Sequence, residues 1–237
     1  MKTLVVIPSR LNSTRLTQKP LIKINGKSLI QRVYEQVKKC KSNIDVVIAT
    51  DSEKILEHIK LFNGKGIITS ELHISGTDRC NEALNLIGQT YDLVINVQGD
   101  EPTIHPDLID QLINSFVESD QILTPAKRII GLKEINDQNI VKVDFDVKMN
   151  ALNFYRKNKN SKSIKYKHLG IYAFKPQVLK EICKLQPTKN ELDHKLEQLR
   201  WMDHNYRIRI LETSHESLSI DTKRDLQNLL DNYSEEL

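Results

Sequence analysis

The amino-acid sequence predicts an α/β fold with a mostly parallel central sheet and helices on both faces. Short β-branched runs alternate with amphipathic stretches through the first half of the chain. Strands spaced in this way, with helices between them, imply right-handed crossovers that cover both faces of a parallel sheet. The chain has 237 residues, of which 39% are hydrophobic and 28% charged, so it can bury one substantial core.

Four strands are predicted in the first half, each followed by a helix. The strands are the apolar runs at 4–7, 46–49, 66–69 and 93–97. The helices are expected at 28–39, near 52–61, from about residue 77 and from residue 106. Ser28 and Thr77 are expected to act as N-caps, and Pro106 suits the first turn of a helix.

In the second half of the chain, the predicted strands and helices no longer alternate regularly. Its predicted β segments are 140–144, 151–155, 169–174 and 208–211, and its predicted helices lie near 176–184, at 192–203 and from about Thr222. A polar basic loop covers residues 156–162. No linker divides the sequence, so we predict one domain spanning 1–237 with an inserted β subregion at about 138–175.

A basic loop follows the first predicted strand. It carries Arg10, Arg15 and Lys19 among hydroxyl and amide side chains. In an open parallel sheet, ligands bind beyond the carboxyl ends of the strands. Arginine grips phosphate oxygens with two N–H groups and lysine adds a compact charge, so this loop predicts a polyphosphate site. A solvated basic loop is the alternative.

The glycine pattern excludes two common nucleotide folds. No glycine precedes Gly26, so the phosphate-binding loop of Walker type is absent from this segment. The sequence also lacks the Gly-x-Gly-x-x-Gly pattern that is typical of nicotinamide dinucleotide enzymes.

Two further segments follow strands of the predicted sheet. Gly99 is expected to let the backbone approach a ligand, and Asp100 beside it suits a Mg²⁺ ion that bridges carboxylate and phosphate oxygens. An acidic pair with Glu101, stabilised by a helix dipole, is the alternative. The segment 75–79 starts a helix whose free N–H groups can receive a ring carbonyl or a phosphate, although it can equally be a capped turn.

Composition narrows the function classes further. A net charge of +4 is too small to indicate nucleic-acid binding, and no apolar run approaches the ~20 residues that cross a bilayer. The opening strand ends at Pro8, too early for a signal-peptide core. Cys40, Cys80 and Cys183 are odd in number and widely spaced, which disfavours a disulfide framework and a zinc site. We therefore expect a cytoplasmic enzyme with no nucleic-acid or membrane partner.

Together these segments resemble the 3-deoxy-manno-octulosonate (Kdo) cytidylyltransferases. The similarity runs along nearly the whole chain and keeps the family order. The matching segments are 7–10, 13–16, 19–21, 48–51, 73–77, 94–102, 167–172, 196–200 and 219–222. The most specific are Val-Gln-Gly-Asp-Glu-Pro at 97–102 and Leu-Glu-Gln-Leu-Arg at 196–200.

The resemblance implies a Rossmann-like nucleotide-diphospho-sugar transferase fold and a homodimer. It also implies transfer of CMP from CTP to the anomeric hydroxyl of Kdo, a 2-keto-3-deoxy sugar acid, with release of pyrophosphate. This reaction activates the sugar acid for lipopolysaccharide synthesis. The β subregion would then serve the sugar acid and the dimer contact.

The resemblance assigns roles to individual residues. Those implied to act in catalysis are Arg10, Lys19 and Asp100. Those implied to bind CTP are Arg10, Arg15, Lys19, Ser75, Gly76, Thr77 and Arg79. Those implied to surround the sugar acid are Gln98, His168, Tyr172, Glu197 and Gln198. Mg²⁺ would be held by Asp100 and Asp221.

For several of these residues a structural role is the alternative. His168 can be a hydrogen-bonded core histidine, Tyr172 can be a packing residue, and Glu197 with Gln198 can form a solvated helix face.

The chain departs from the family pattern at three places. Thr17 and Gln18 replace the usual Pro-Gly before Lys19, and residues 193–194 stand where another Glu is usual. The segment 156–167 is short and lacks the family's Pro-(aromatic)-x-Arg element, so we expect a more open sugar-acid pocket. This leaves open a modified Kdo, such as an 8-amino form, or a nine-carbon acid. A non-catalytic nucleotide- or RNA-binding module is the alternative of another class, and retained metal carboxylates speak against it.

Overall fold

A mixed sheet of ten strands runs through both halves of the chain. The computed structural model describes residues 1–12, 16–157 and 164–232. The strands are β1 (Thr3–Ser9), β2 (Lys23–Ile24), β3 (Lys27–Ser28), β4 (Ile44–Thr50), β5 (Gly66–Ile68), β6 (Leu93–Asn96), β7 (Ile122–Arg128), β8 (Lys142–Phe145), β9 (Ala151–Tyr155), β10 (Tyr166–His168), β11 (Tyr172–Phe174) and β12 (Ile208–Thr213). Strands β2 and β3 form a separate small hairpin.

The helices cover the sheet. They are α1 (Leu29–Lys38), α2 (Glu53–Lys60), α3 (Gly76–Ile87), α4 (Pro106–Ser115), α5 (Leu132–Asn136), α6 (Pro176–Ile182), α7 (Lys189–His194), α8 (Glu197–Asp203) and α9 (Lys223–Asn232), with a 3-10 turn at Lys19–Leu21. Among the described helices, none is both long and apolar enough to cross a membrane.

The first half of the sheet is parallel. Strand β1 is fully buried and pairs in parallel with β4 on one side and β6 on the other, and β4 pairs in parallel with β5. The carboxyl ends of these strands therefore meet at one edge, where the loops after β1, β4 and β6 converge. The predicted fold class is confirmed.

The second half extends the same sheet with mostly antiparallel pairs. Strand β11 lies antiparallel between β6 and β7, and β10, β8 and β9 follow as antiparallel neighbours. Strand β12 pairs in parallel with β7. The sequence prediction missed β7, because Pro125 has no amide donor and argues against a central strand.

Two predicted elements differ in the structure. Of the predicted segment 169–174, only Tyr172–Phe174 is a strand, β11, and β10 ends before the segment, at His168. The predicted helix 192–203 is interrupted. Lys195 adopts a left-handed φ of 54° and separates α7 from α8.

The caps of two helices test the local predictions. Ser28 caps α1 as expected, accepting the N–H of Gln31 at 3.2 Å. The predicted Thr77 cap is wrong, because the cap lies two residues earlier, at Ser75, whose Oγ accepts the N–H of Asp78 at 3.0 Å. The Thr77 hydroxyl is left to contact another part of the chain.

A small apolar cluster brings the end of the chain back to its beginning. Ile220 and Leu229 pack with Leu16, Ile24 and Leu29, and all five side chains are buried. This contact docks α9 beside the loop that follows β1. It places the residues after β12 next to Lys19, which lies about two hundred positions earlier.

Candidate active site

A cleft of about 450 Å³ opens at the carboxyl edge of β1 and β6. Its walls come from the loop after β1, the start of α3, the loop after β6 and the segment before α9. The lining residues are Pro8, Ser9, Arg10, Asn12, Lys19, Pro20, Gly76, Arg79, Gln98, Gly99, Asp100 and Asp221. The cleft thus lies where the sheet topology predicts a ligand.

Lys19 links two carboxylates in this cleft. Its Nζ donates to Asp100 Oδ2 at 2.6 Å and to Asp221 Oδ1 at 3.0 Å. The Ile220 N–H donates to the Asp100 carbonyl oxygen at 2.9 Å, so the backbone also ties the two acidic segments together. Cation and carboxylates from three distant parts of the sequence therefore meet at one point.

The ionisation of these groups follows from their burial and mutual contact. Burial lowers the pKa of the Lys19 ammonium, but Asp100 and Asp221 outweigh this effect and leave it raised, so the lysine stays charged. Burial raises the pKa of Asp100, and the opposing effect of Lys19 does not cancel it. An acidic group that loses hydration in this way gains from binding a cation.

Glycines let the loops of the cleft approach one another. A Cβ on Gly99 would lie 2.7 Å from the Pro8 carbonyl oxygen, so Gly99 lets the loop after β6 pack on the end of β1. Gly99 also lines the cleft, so its expected approach to a ligand stays a prediction. A Cβ on Gly76 would lie 3.2 Å from Pro8 Cγ and 3.5 Å from Gln98 Oε1, so substitution there would crowd the cleft.

The predicted nucleotide-binding cations differ in their availability. Arg10 is exposed at the rim and donates to the Ile74 carbonyl oxygen at 2.6 Å. Arg79 is fully buried and donates to Thr69 Oγ1 at 2.6 Å and to Asp51 Oδ2 at 3.0 Å. Its guanidinium touches the cleft but is already engaged by protein acceptors. Arg15 lies outside the described residues.

Asp51 is a residue of the site to which the sequence analysis gave no role. It follows β4, accepts the Leu11 N–H at 3.2 Å and pairs with Arg79. It thereby joins the loop after β1 to α3. Its position directly after a parallel strand is the signal that could have found it.

Glu101 takes a different position from its neighbour Asp100. The side chain is buried near Gly170 and does not line the cleft. Burial, with a further contribution from Asp100, raises the pKa of Glu101 to about 7. Of the two predicted edge carboxylates, only Asp100 faces the cleft.

Of the five residues predicted to surround the sugar acid, only Gln98 lines the cleft. Gln98 lines the cleft and donates to the Gly170 carbonyl oxygen and to Asn96 Oδ1, both at 3.3 Å. His168, Tyr172, Glu197 and Gln198 are not among the residues that line this cleft. They lie behind it, at β10, β11 and the start of α8.

His168 and Tyr172 belong to a buried aromatic cluster. The His168 ring lies 5.0 Å from Phe154 and 5.3 Å from Tyr172, and its Nε2 is 2.9 Å from Thr124 Oγ1. The Tyr172 ring lies 5.0 Å from Trp201. Burial lowers the pKa of His168 to about 3, so the imidazole is neutral at ordinary pH.

Glu197 connects α8 to the helix that borders the cleft. Its Oε2 accepts the Thr77 hydroxyl at 3.0 Å. Burial raises the pKa of Glu197 even though Ser75 and Thr77 hydrogen-bond to it. Gln198, the next residue, is buried. The two residues are therefore not a solvated helix face.

Comparison with known proteins identifies the family. The profile of the Cytidylyltransferase family matches residues 4–210. A 3-deoxy-manno-octulosonate cytidylyltransferase of Parabacteroides distasonis is 40% identical over 97% of both chains, and one of Geobacter sulfurreducens is 37% identical over 98% of this chain and 99% of its own. The chain belongs to the Kdo cytidylyltransferase family. The predicted family and enzyme class, a nucleotidyltransferase, are confirmed.

Solved structures agree with this membership of the Kdo cytidylyltransferase family. The structure of a CMP:2-keto-3-deoxy-manno-octonic acid synthetase complexed with CTP covers all of both chains with a TM-score of 0.93 and 33% identity. A cytidylyltransferase of Leptospira borgpetersenii has a TM-score of 0.66 and 18% identity over 99% of this chain and 87% of its own. The second similarity shows the fold alone.

Proposed function

We propose that this enzyme transfers CMP from CTP to the anomeric hydroxyl of 3-deoxy-manno-octulosonate and releases pyrophosphate. The observation that carries the proposal is the cleft in which Lys19 links Asp100 and Asp221, in a chain of this family. The loop after β1 supplies cations for a triphosphate, and Asp100 and Asp221 supply hard oxygen ligands for a divalent cation.

The two carboxylates fit Mg²⁺ by their chemistry. Carboxylate oxygens are the protein ligands that Mg²⁺ prefers, with substrate phosphates completing its shell. Asp100 and Asp221 share a single ammonium, so their oxygens are near enough to converge on one ion. When bound by them, Mg²⁺ supplies Lewis-acid charge that favours ionisation of the attacking sugar hydroxyl.

The basic residues act on the leaving group. An ammonium has three donors, so Lys19 can hold both carboxylates and still donate to a phosphate oxygen. Arg10, exposed at the rim, can place its guanidinium against the same phosphates. Both neutralise the charge that grows on pyrophosphate as the bond to the α-phosphorus breaks. We assign Arg10 and Lys19 to catalysis on this ground, and Asp100 as a residue that would hold the Mg²⁺ ion.

The remaining contacts to CTP come from the start of α3. We assign Ser75, Gly76 and Thr77 to the cytosine and ribose, with Arg79 held beside them by Asp51. Since Arg79 is already paired, its main effect is to fix the start of the helix. The Gly76 N–H lies at a helix start and can face a carbonyl or phosphate oxygen.

The sugar acid is assigned to the side of the cleft nearest Gln98. Gln98 reaches the cleft directly, whereas His168, Tyr172, Glu197 and Gln198 form the buried wall behind it. Thr77 links this wall to the nucleotide side through its hydrogen bond to Glu197. The wall therefore shapes the pocket as well as supplying polar contacts.

A second copy of the chain is proposed to cover an apolar surface of the β subregion. Among its described residues, the most exposed large apolar side chains are Val147 at 99%, Leu152 at 62% and Ile164 at 57%. Ile130, Leu132 and Leu192 are also exposed but lie outside this subregion. Exposed apolar side chains in one subregion indicate a protein interface. We expect Val147→Asp to shift light-scattering mass from dimer to monomer, whereas Leu61→Asp on α2's far end leaves it unchanged.

The chain organisation and compartment complete the proposal. We treat residues 1–237 as one nucleotidyltransferase domain, because β11 joins the subregion at about 138–175 to β6 of the parallel half. The three free thiols support a reducing, cytoplasmic compartment.

The test is a pyrophosphate-release assay with four nucleoside triphosphates and several sugar acids. We expect activity with CTP and Kdo that is lost when EDTA removes Mg²⁺. The acids should include 8-amino-Kdo and a nine-carbon acid, because the short segment 156–167 bears on this choice and 158–163 lie outside the described residues. A preference for ATP, or full activity in EDTA, would contradict the proposal.

A further inference from the structure

Two histidines and an aspartate meet away from the residues that line the cleft. His105 and Asp107 flank Pro106 at the start of α4, and His215 follows β12. Their potential ligand atoms all lie within 4.8 Å of one another. His105 Nδ1 is 3.8 Å from Asp107 Oδ2, and the two imidazole rings stack with centroids 4.1 Å apart. Three side chains that commonly bind metals, from two distant segments of the sequence, therefore lie side by side.

We propose that His105, Asp107 and His215 bind a divalent transition-metal ion of the Zn²⁺ type. Two imidazoles and a carboxylate form a donor set suited to Zn²⁺, and water can take the fourth position. Bonds of about 2.05 Å at tetrahedral angles place ligand atoms about 3.3 Å apart. The ligand atoms therefore need to close by at most about 1.5 Å, and the two stacked imidazole rings must turn so that their in-plane nitrogen lone pairs converge on the ion.

The surrounding hydrogen bonds hold the two segments in this position. The His215 N–H donates to Thr213 Oγ1 at 3.2 Å, and the Thr213 hydroxyl donates to Gln111 Oε1 at 2.9 Å on α4. The turn that carries His215 is thus anchored to the helix that carries Asp107.

Competing contacts at the cluster are weak. The Asp107 N–H donates to His105 Nδ1 at 3.2 Å, a long hydrogen bond that a metal at this nitrogen would replace. Lys41 Nζ lies 3.8 Å from Asp107 Oδ1, and the lysine is 87% exposed. Exposed ion pairs of this kind contribute little, so they do not prevent metal binding.

The metal would fasten the segment that leads to Asp221. The chain after β12 is already tied to the segment before α4 by two hydrogen bonds. Leu218 N–H donates to Thr103 Oγ1 at 3.0 Å, and Ile220 N–H donates to the Asp100 carbonyl oxygen at 2.9 Å. A metal between His105, Asp107 and His215 adds a third tie between the same segments. It would therefore limit motion of the loop that positions Asp221.

The proposal is tested by titrating the full chain with Zn²⁺ in saturating Mg²⁺, which occupies all-oxygen sites. Calorimetry should find one Zn²⁺ per chain, and His215→Gln and Asp107→Asn should each weaken binding at least about tenfold. His204→Gln, at an exposed histidine outside the cluster, is the matched control and should bind as the parent does. Equal binding by the parent and both cluster variants would overturn the site.

Amide hydrogen exchange tests whether the metal limits the motion of the segment that leads to Asp221. Zn²⁺ should slow exchange of the Leu218 and Ile220 amides in the parent chain and leave it unchanged in His215→Gln. Zn²⁺ bound at the cluster without slower exchange would overturn the fastening role. Neither measurement uses catalysis, so failure of the proposed reaction and failure of this metal site remain distinguishable. Asp107→Asn keeps the test open should His215→Gln fail to fold.

Discussion

The two sides of the active site are built in different ways. We call Arg10, Lys19, Asp100 and Asp221 the cation side, and His168, Tyr172, Glu197 and Gln198 the acid side. Lys19, Asp100 and Asp221 have side chains that are 14%, 25% and 37% exposed, so water and ligands reach them. His168, Tyr172 and Gln198 are 9% or less exposed. One side consists of charged loops after parallel strands, and the other is part of the core.

Because of this difference, substitutions on the cation side should change ligand binding, whereas substitutions on the acid side should also change stability. On the cation side, opposite charges compensate one another in a hydrated cleft, so a substitution changes the site's charge with little loss of packing. On the acid side, His168 and Tyr172 are buried among aromatic rings, and Glu197 is hydrogen-bonded to a neighbouring helix. Substitution there leaves a cavity or an unpaired group and lowers stability as well.

The largest effect is expected for the carboxylates of the cation side. Asp100→Asn and Asp221→Asn remove an anionic ligand and leave the triphosphate charge poorly compensated, so each should reduce kcat by about 10³-fold or more. Steady-state pyrophosphate release at limiting Mg²⁺ measures this. Asp231→Asn, an exposed carboxylate of α9, is the control. Near-parent activity in either variant would remove that residue from the metal site.

A smaller loss is expected for the cations of the same side. Lys19→Ala and Arg10→Ala should lower kcat more than they raise the KM for CTP, because charge on pyrophosphate grows in the transition state. A loss of about 3 kcal/mol corresponds to roughly a 10²-fold slower reaction. Lys2→Ala, at the opposite end of β1, should have no comparable effect. A change in KM alone would mean that the loop only holds the nucleotide.

The acid side should respond selectively to loss of Glu197. Glu197→Ala should raise the KM for the sugar acid about tenfold, the effect of losing one hydrogen bond to a charged group, and leave the KM for CTP unchanged. Thr77→Val removes the hydrogen-bond partner of Glu197 and also a hydroxyl assigned to CTP, so it should raise the KM for CTP as well. Equal effects of Glu197→Ala on both substrates would place Glu197 in the support of α3 rather than at the sugar acid.

Substrate choice gives the same residue a finer test. If the natural acid carries an amino group, Glu197→Gln should lower kcat/KM for 8-amino-Kdo more than for Kdo, because the counter-charge is lost. Equal losses for both acids would dismiss a charge contact between Glu197 and an amino group. Comparing the two acids on the parent enzyme then decides which is preferred.

The same contrast explains what the sequence could predict. Lys19 and Asp100 follow strands of a parallel sheet, so their position and charge are enough to indicate a site. Nothing local marks Asp221, because it reaches the cleft only when Ile220 and Leu229 join the cluster under α1. The role of Asp221 is implied by family resemblance alone.

Two other features stayed beyond sequence reasoning for physical reasons. Strand β7 was missed because Pro125 obscures its pattern, although its partners β10, β11 and β12 supply the surrounding ladder. The cluster of His105, Asp107 and His215 was missed because the sequence was searched for metal sites by its cysteines, and this cluster has none. Its ligands also come from separate segments, which have no fixed spacing in the sequence.

Protonation of His168 should make stability depend on pH on the acid side. Its pKa of about 3 in the folded chain lies below the ordinary value of 6.5, so the unfolded chain binds more protons between these values. The stability that the neutral His168 imidazole contributes is therefore fully present above pH 6.5, and it is lost as the pH falls towards 3. At pH 5 the loss is about 2 kcal/mol, from 1.36 kcal/mol per pH unit.

The measurement is urea unfolding at pH 7.5 and pH 5. His168→Gln should lose about 2 kcal/mol less than the parent chain between these conditions, even though it is less stable at pH 7.5. His204→Gln, on the surface, should follow the parent. Identical pH slopes for His168→Gln and the parent would show that the imidazole is not held neutral in the core.

The smallest effect concerns the backbone of the cation side at Gln18. This residue adopts φ 52° and ψ 35°, the left-handed region, directly before Lys19. The resemblance implies that Pro-Gly is the usual pair before Lys19, and glycine adopts this conformation without strain because it has no Cβ. For other residues the left-handed region costs about 1–2 kcal/mol. The short turn that sets Lys19 beside Asp100 and Asp221 is therefore strained in this chain.

Gln18→Gly should relieve that strain, with a compensating cost in the unfolded state. The freedom that glycine adds to the unfolded chain opposes folding by about 0.4–1 kcal/mol, so a net gain of about 0.5–1 kcal/mol remains. Gln18→Ala is the matched control, since it keeps the Cβ while also removing the exposed contact to Lys54. Unfolding free energies should rank Gly above Ala. If Ala equals or exceeds Gly, the turn before Lys19 is not held in the left-handed region, and the cation side is set by its charges alone.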